Sequence, residues 1–206
     1  MEIFFVRHGE TKGNKEKRFR GRTDYPLNNN GRKQAKKLKK KLDNFNFDKL
    51  ISSPLKRAYE TAEIIKPEGL EINIDKEINN VDVGDWSNVK KDDVKKNYPE
   101  LFKIWITNPE DIKFPNGESL KSLYDRAGSF IEKLVKKDYE RVLVVSHRSL
   151  MKCLMGYILN MKKDYFWKFY FNNASYSIIN YNEDRGFLIK MINESCHLDD
   201  FVVETK

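Results

Sequence analysis

Two short runs of β-branched and aromatic residues each end on a histidine: Ile3 to Val6 runs into Arg7-His8-Gly9, and Val142 to Ser146 into His147. Runs this short and this apolar read as strands covered on both faces. Phe47 to Ser52 and Leu70 to Ile74 have the same character. Helical patterns separate them. Gly31 to Leu42 carries Ala35, Leu38 and Leu42 at helical spacing, and Ser53-Pro54 reads as an N-cap and first helical residue leading through Leu55, Ala58, Ala62 and Ile65. Ser119 is positioned to cap a helix in which Leu120, Leu123, Ala127, Phe130, Ile131 and Leu134 share a face, and a further helix is expected from Leu150 to Leu159. Strands alternating with helices predict an α/β fold in three layers, a central mostly parallel sheet with helices on both faces.

After this core, Ser175 to Tyr181 and Phe187 to Ile192 read as a strand pair around the turn Asn182 to Gly186. Residues 76–118, with Trp86, Trp105, Pro109 and Pro115, are expected to form a cap-like insertion over one end of the sheet. No repeat or low-complexity linker divides the 206 residues, so one domain spanning 1–206 is expected.

Charge is the next constraint. Lys and Arg number 39 against 31 Asp and Glu, a formal net charge of +8. Such a field attracts nucleic acid, acidic membrane or small anions alike. The densest basic stretch, Arg32 to Lys41, is threaded by the apolar positions of one helix, so it reads as a solvated face; no aromatic-interleaved or groove-reading motif accompanies it. No nucleic-acid partner is expected. A mean hydropathy of -0.72 and the lack of a long apolar run argue against a membrane span, and the opening residues do not resemble a signal peptide, so a soluble, cytoplasmic protein is expected. Cys153 and Cys196 form no CxxC pair, which disfavours a disulfide framework or a Cys-rich zinc site. The sequence holds no signal for oligomeric state.

Two histidines in matching positions after strands point to the sheet edge where α/β proteins bind ligands. Gly9 permits close backbone approach, Asn14 supplies an amide, and Arg57 falls in the first turn of its helix, where backbone N–H groups already favour an anion. Arg7 and Arg57 suit multidentate binding of phosphate, and a histidine beside two guanidinium groups tends to be neutral and therefore nucleophilic. Zinc held by His8, Glu10 and His147 competes formally, but the arginines would repel a cation.

Arg7-His8-Gly9-Glu10-Thr11 with Asn14, Pro26-Leu27, Gly31 and Gln34-Ala35 resembles the signature of the histidine phosphatase superfamily, phosphoglycerate-mutase-like branch. Ser52 to Ala58 with Thr61-Ala62, Pro115 to Ser119, and Val144 to His147 continue it in order, and Asn173-Ala174-Ser175 resembles the α-ribazole phosphatase type. The resemblance implies that His8 becomes phosphorylated while Arg7, Asn14, Arg57 and His147 hold the phosphoryl oxygens. It implies a small phosphorylated metabolite as substrate, with no metal and no cofactor.

One departure bears on catalysis. The family usually places a glutamate, its general acid and base, four residues before a glycine; here Asn80 stands there, ahead of Gly84. An amide has no proton to give, and losing a general acid costs about 10²- to 10⁴-fold in rate. Three outcomes stay open: Asp82, on the same side of an extended segment, substitutes; the phosphatase is weak or restricted to good leaving groups; or the protein binds phosphate with little turnover. A mutase activity ranks below these. Arg148 stands where the family commonly has Gly and Lys152 where Arg is frequent, while Arg20 replaces a common Gln; turned inward, Arg20 and Arg148 would suit a substrate with a second acidic group.

Overall fold

A computed structural model describes residues 1–199. Six strands form one sheet: β1 (Glu2–Arg7), β2 (Lys49–Ser52), β3 (Ile72–Ile74), β4 (Arg141–Ser146), β5 (Tyr176–Asn182) and β6 (Gly186–Glu194). Their order is β3-β2-β4-β1-β5-β6, with β1 to β4 parallel and β5 and β6 antiparallel. Seven α-helices accompany them: α1 (Lys12–Lys15), α2 (Asn29–Leu42), α3 (Lys56–Ile65), α4 (Lys91–Asn97), α5 (Pro99–Thr107), α6 (Leu120–Leu134) and α7 (Arg148–Ile158).

Alternation along the strands explains the layers. Ile3, Phe5, Val142 and Val144 face Leu123, Ala127, Ile131 and Leu154 of α6 and α7, whereas Phe4, Val6, Leu143 and Val145 face Ala35, Leu38, Ala58 and Ala62 of α2 and α3. Both faces are covered, as the continuous apolar strands require. The first cluster continues into residues 76–118 through Ile78, Val81, Val83, Trp86, Trp105 and Phe114. There Trp86 packs on Phe19 and Phe114 at ring separations of 4.8 and 5.2 Å, and Trp105 on Trp167 at 5.0 Å.

Most elements fall where the sequence puts them, with shifted ends. The second and third strands are shorter than Phe47–Ser52 and Leu70–Ile74, and the last helix starts earlier, directly after His147. One expectation is corrected: Ser53-Pro54 does not open a helix. The helix begins at Lys56 with Leu55 as its N-cap residue, while the Ser53 hydroxyl accepts from the Leu55 N–H at 3.4 Å and meets His147 at 2.7 Å. Ser119 caps α6 as expected, accepting from the Ser122 N–H at 3.0 Å.

Candidate active site

The register of β1 against β4 pairs Arg7 with Ser146, so His8 and His147 leave the sheet side by side, their ring centroids 5.2 Å apart. Arg7, His8, Asn14, Arg57 and His147 are all buried. The turn after His8 is set by close backbone contact: a Cβ on Gly31 would lie 2.1 Å from the Glu10 carbonyl oxygen, so only glycine lets the start of α2 approach it.

Nδ1 of His8 lies 2.7 Å from the Gly9 carbonyl oxygen. A carbonyl only accepts, so Nδ1 carries the proton and Nε2 keeps the lone pair. Burial holds the His8 pKa well below the ordinary histidine range, and Arg57, Arg7 and Arg20 push it further in the same direction. His147 is lowered well below that range by the same burial, followed by Arg57 and His8. Both rings are therefore neutral at neutral pH. Nε2 of His147 is 2.7 Å from the Ser53 hydroxyl, while its buried Nδ1 has no hydrogen-bond partner among the described residues.

The arginines are fixed by backbone carbonyls. Arg7 donates to the Phe171 carbonyl at 2.7 Å, and Arg57 to those of Thr23 and Gly21 at 2.8 and 2.9 Å. Asn14 accepts from the Thr11 N–H and hydroxyl at 2.9 and 2.7 Å, and Arg20 donates to the Gly13 carbonyl at 3.1 Å. Glu10 turns away toward Asn28, Asn30 and Lys15, so it does not join the two histidines in the arrangement zinc would need.

Asn80 donates through Nδ2 to the Gly21 carbonyl at 2.8 Å, the same oxygen that receives Arg57. That contact fixes the amide's orientation, and it leaves the buried Oδ1 without a hydrogen-bond partner among the described residues. Asn14, Arg20, Asn80 and Arg148 line a cavity of about 110 Å³ together with Trp105 and Trp167; it adjoins the histidine pair through Asn14 and Arg20, and Arg7, His8, Arg57 and His147 are not in its lining. Asp82 is not part of that lining. Its carboxylate accepts from the Gly84 N–H at 3.0 Å and faces Arg22 at 3.4 Å. Asn80, Val81 and Val83 line the cavity while Asp82 does not, so Asp82 serves the turn rather than the cavity.

Several residues build the site through contacts that their sequence positions do not announce. Asn173 donates to the carbonyls of His8 and Gly9 at 3.1 and 3.3 Å. Arg126, in the middle of α6, donates to the carbonyls of Glu77 and Asn79 at 2.6 and 2.8 Å and pairs with Glu118 at 2.7 Å. Ser53 reads as a cap because it precedes a proline; an arginine among the polar positions of an amphipathic helix carries no signal at all. Lys152 is buried with its ammonium 4.7 and 4.5 Å from the ring centres of Phe166 and Trp167.

Residues 3–194 match the Histidine phosphatase superfamily (branch 1), and the chain belongs to that superfamily. Its chemistry is that of a phosphoric monoester hydrolase. It is 38% identical to Phosphoserine phosphatase 1 of Hydrogenobacter thermophilus over 99% of this chain and 97% of that one. Among solved structures it resembles Bacillus stearothermophilus YhfR, with a TM-score of 0.90, 28% identity and coverage of 95% and 98% of the two chains. It also resembles the Alpha-ribazole Phosphatase from Shigella flexneri, with a TM-score of 0.86, 28% identity and coverage of 95% and 97%. Among the described residues, no helix is long and apolar enough to cross a membrane.

Proposed function

We propose that the protein hydrolyses small phosphorylated metabolites in the cytoplasm, without a metal or other cofactor, through a phosphohistidine on Nε2 of His8. The observation that carries this reading is the neutral, buried imidazole whose Nδ1–H is committed to Gly9, placed among Arg7, Arg57 and His147. Attack by Nε2 on phosphorus needs no prior deprotonation, and fixed guanidinium groups stabilise the charge spread over the equatorial oxygens. Asn14 completes the phosphate pocket, residues 76–118 cap it, and neither nucleic acid nor membrane is a partner.

His147 has to present an N–H to the phosphoryl group. Donation from the Ser53 hydroxyl to Nε2 would hold it in the Nδ1–H form, which makes Ser53 a positioning residue. Asn80 orients water through Oδ1 but supplies no proton, so activity is confined to leaving groups that depart unprotonated. The test is incubation with p-nitrophenyl phosphate followed by mass spectrometry: phosphate release and an acid-labile phosphoryl group on His8 are expected. A protein that neither releases phosphate nor labels His8 would overturn the reading and favour a phosphate-binding protein with little turnover.

Asp82 as the replacement acid is the second reading, and its engagement by Gly84 and Arg22 speaks for a structural role instead. Asp82→Asn is expected to leave the pH profile of kcat unchanged; loss of its acidic or basic limb would restore the acid-base role.

A further inference from the structure

The cavity beside Asn80 combines two properties that point to the same leaving group. Lys15, Lys17, Arg18, Arg20, Lys91 and Arg148 line it, with Lys15 and Arg18 meeting Glu10 and Glu16 and Arg20 the Gly13 carbonyl. Among the described residues, no carboxylate lines it. At the position where a family member usually carries an acid stands a neutral amide, locked by the Gly21 carbonyl. An alcohol leaving group is poorly served here, because an alkoxide is the conjugate base of an acid with a pKa of about 15.7, as for water, and needs a proton as it departs. A phosphate that already carries one proton on a non-bridging oxygen leaves as hydrogen phosphate, governed by the second phosphate pKa of about 6, and needs no further proton. It also carries the multiple negative charge that a cavity lined by cations attracts. A carboxylate at position 80 would repel such a leaving group; an amide does not. Acyl and aryl phosphates share the first advantage only.

We propose that the same site also hydrolyses phosphoanhydrides, taking the terminal phosphoryl group of a small polyphosphate while the cationic cavity receives the phosphate that leaves. The proposal rests on the phosphohistidine reading of His8. In the first step the Nε2 lone pair forms the N–P bond, the bridging P–O bond breaks, and its electron pair stays on the departing phosphate. In the second, a water oxygen bonds phosphorus and the N–P pair returns to Nε2. One water proton remains on the product hydrogen phosphate and the other passes to solvent. Asn80 Oδ1 accepts a hydrogen bond from that water without taking its proton.

The experiment compares inorganic pyrophosphate, glycerol phosphate and p-nitrophenyl phosphate, with chelator present, on the wild type, His8→Ala, Asn80→Glu, Asn80→Asp and Lys91→Gln. For the wild type, kcat/KM with pyrophosphate is expected to exceed that with glycerol phosphate by about 100-fold or more, the lower bound of what a missing general acid costs an alkyl ester. His8→Ala should abolish the pyrophosphate activity. Either acidic variant at Asn80 should lower the pyrophosphate to glycerol phosphate ratio, Asn80→Asp doing so with a side chain of the original size. Lys91→Gln should lower the pyrophosphate to p-nitrophenyl phosphate ratio through KM. Pyrophosphate turnover no faster than that of glycerol phosphate, alongside labelling of His8 by p-nitrophenyl phosphate, overturns this proposal and leaves the phosphohistidine reading standing. Absence of both label and phosphate release with every substrate overturns both.

Discussion

At the scale of single residues, the site depends on which nitrogen of each imidazole holds the proton. Gly9 decides this for His8, since its carbonyl at 2.7 Å can only accept. For His147 the neighbour is the Ser53 hydroxyl, which can donate or accept and which also reaches the Asn79 side-chain oxygen at 3.4 Å. Ser53→Ala removes the hydroxyl and leaves Nε2 of a buried ring unsatisfied, a loss worth about 1–3 kcal/mol. If about half of that reaches the transition state, kcat/KM with p-nitrophenyl phosphate falls about 2- to 12-fold. A change in the ¹⁵N tautomer signature of His147 should accompany the fall, and Ser53→Thr should restore both. The histidines and arginines were legible because their chemistry is carried by residue type and by position after a strand. Ser53 stood out only as a helix cap and Asn173 only within a family-like stretch, because their work is done through partners 94 and 165 residues away. No local pattern records a contact of that kind.

At the scale of elements, the site is held by a loop pressed against a turn. Residues 79–84 lie on the Pro115-to-Glu118 turn, where Gly84 has a φ of +49° and a Cβ added to it would fall 1.9 Å from the Pro115 carbonyl oxygen. The Glu118 N–H donates to the Asp82 carbonyl, and the Glu118 carboxylate accepts from the Asp82 N–H, both at 3.0 Å. Gly84→Ala therefore meets strain in φ and a backbone clash together. It is expected to destabilise the fold by more than about 3 kcal/mol, read from the urea midpoint. It should also impair turnover, because the loop it displaces carries Asn80. The element pattern itself was read well from apolar spacing, since burial on both sheet faces imposes it. The error at Ser53-Pro54 has a physical cause: a serine before proline satisfies local capping rules equally well when a distant histidine claims its hydroxyl.

For the whole molecule, the pKa values of all three histidines are lowered, each chiefly by burial. The unfolded chain takes up protons first, at the ordinary histidine pKa of about 6.5, while the folded chain resists. The stabilisation is thus fully present above about pH 6.5 and is lost as pH falls toward the folded values. Urea unfolding at pH 7.5 and 5.5 should show the protein losing stability on acidification, by up to about 1.4 kcal/mol per pH unit for each histidine still neutral in the fold. His8→Asn should flatten that slope.

The strand order also sets a timetable. β1 occupies the interior of the sheet between β4 and β5, and its catalytic end is closed by Phe171, Asn173 and Ser175. In a chain made from its N-terminal side, the carbonyls of His8 and Gly9 find the Asn173 amide, and Arg7 finds its Phe171 anchor, only when more than 160 further residues have emerged. A nascent chain therefore carries Arg7 and His8 long before the partners that fix them, and this end of β1 is completed late, with the folding of residues 171–175.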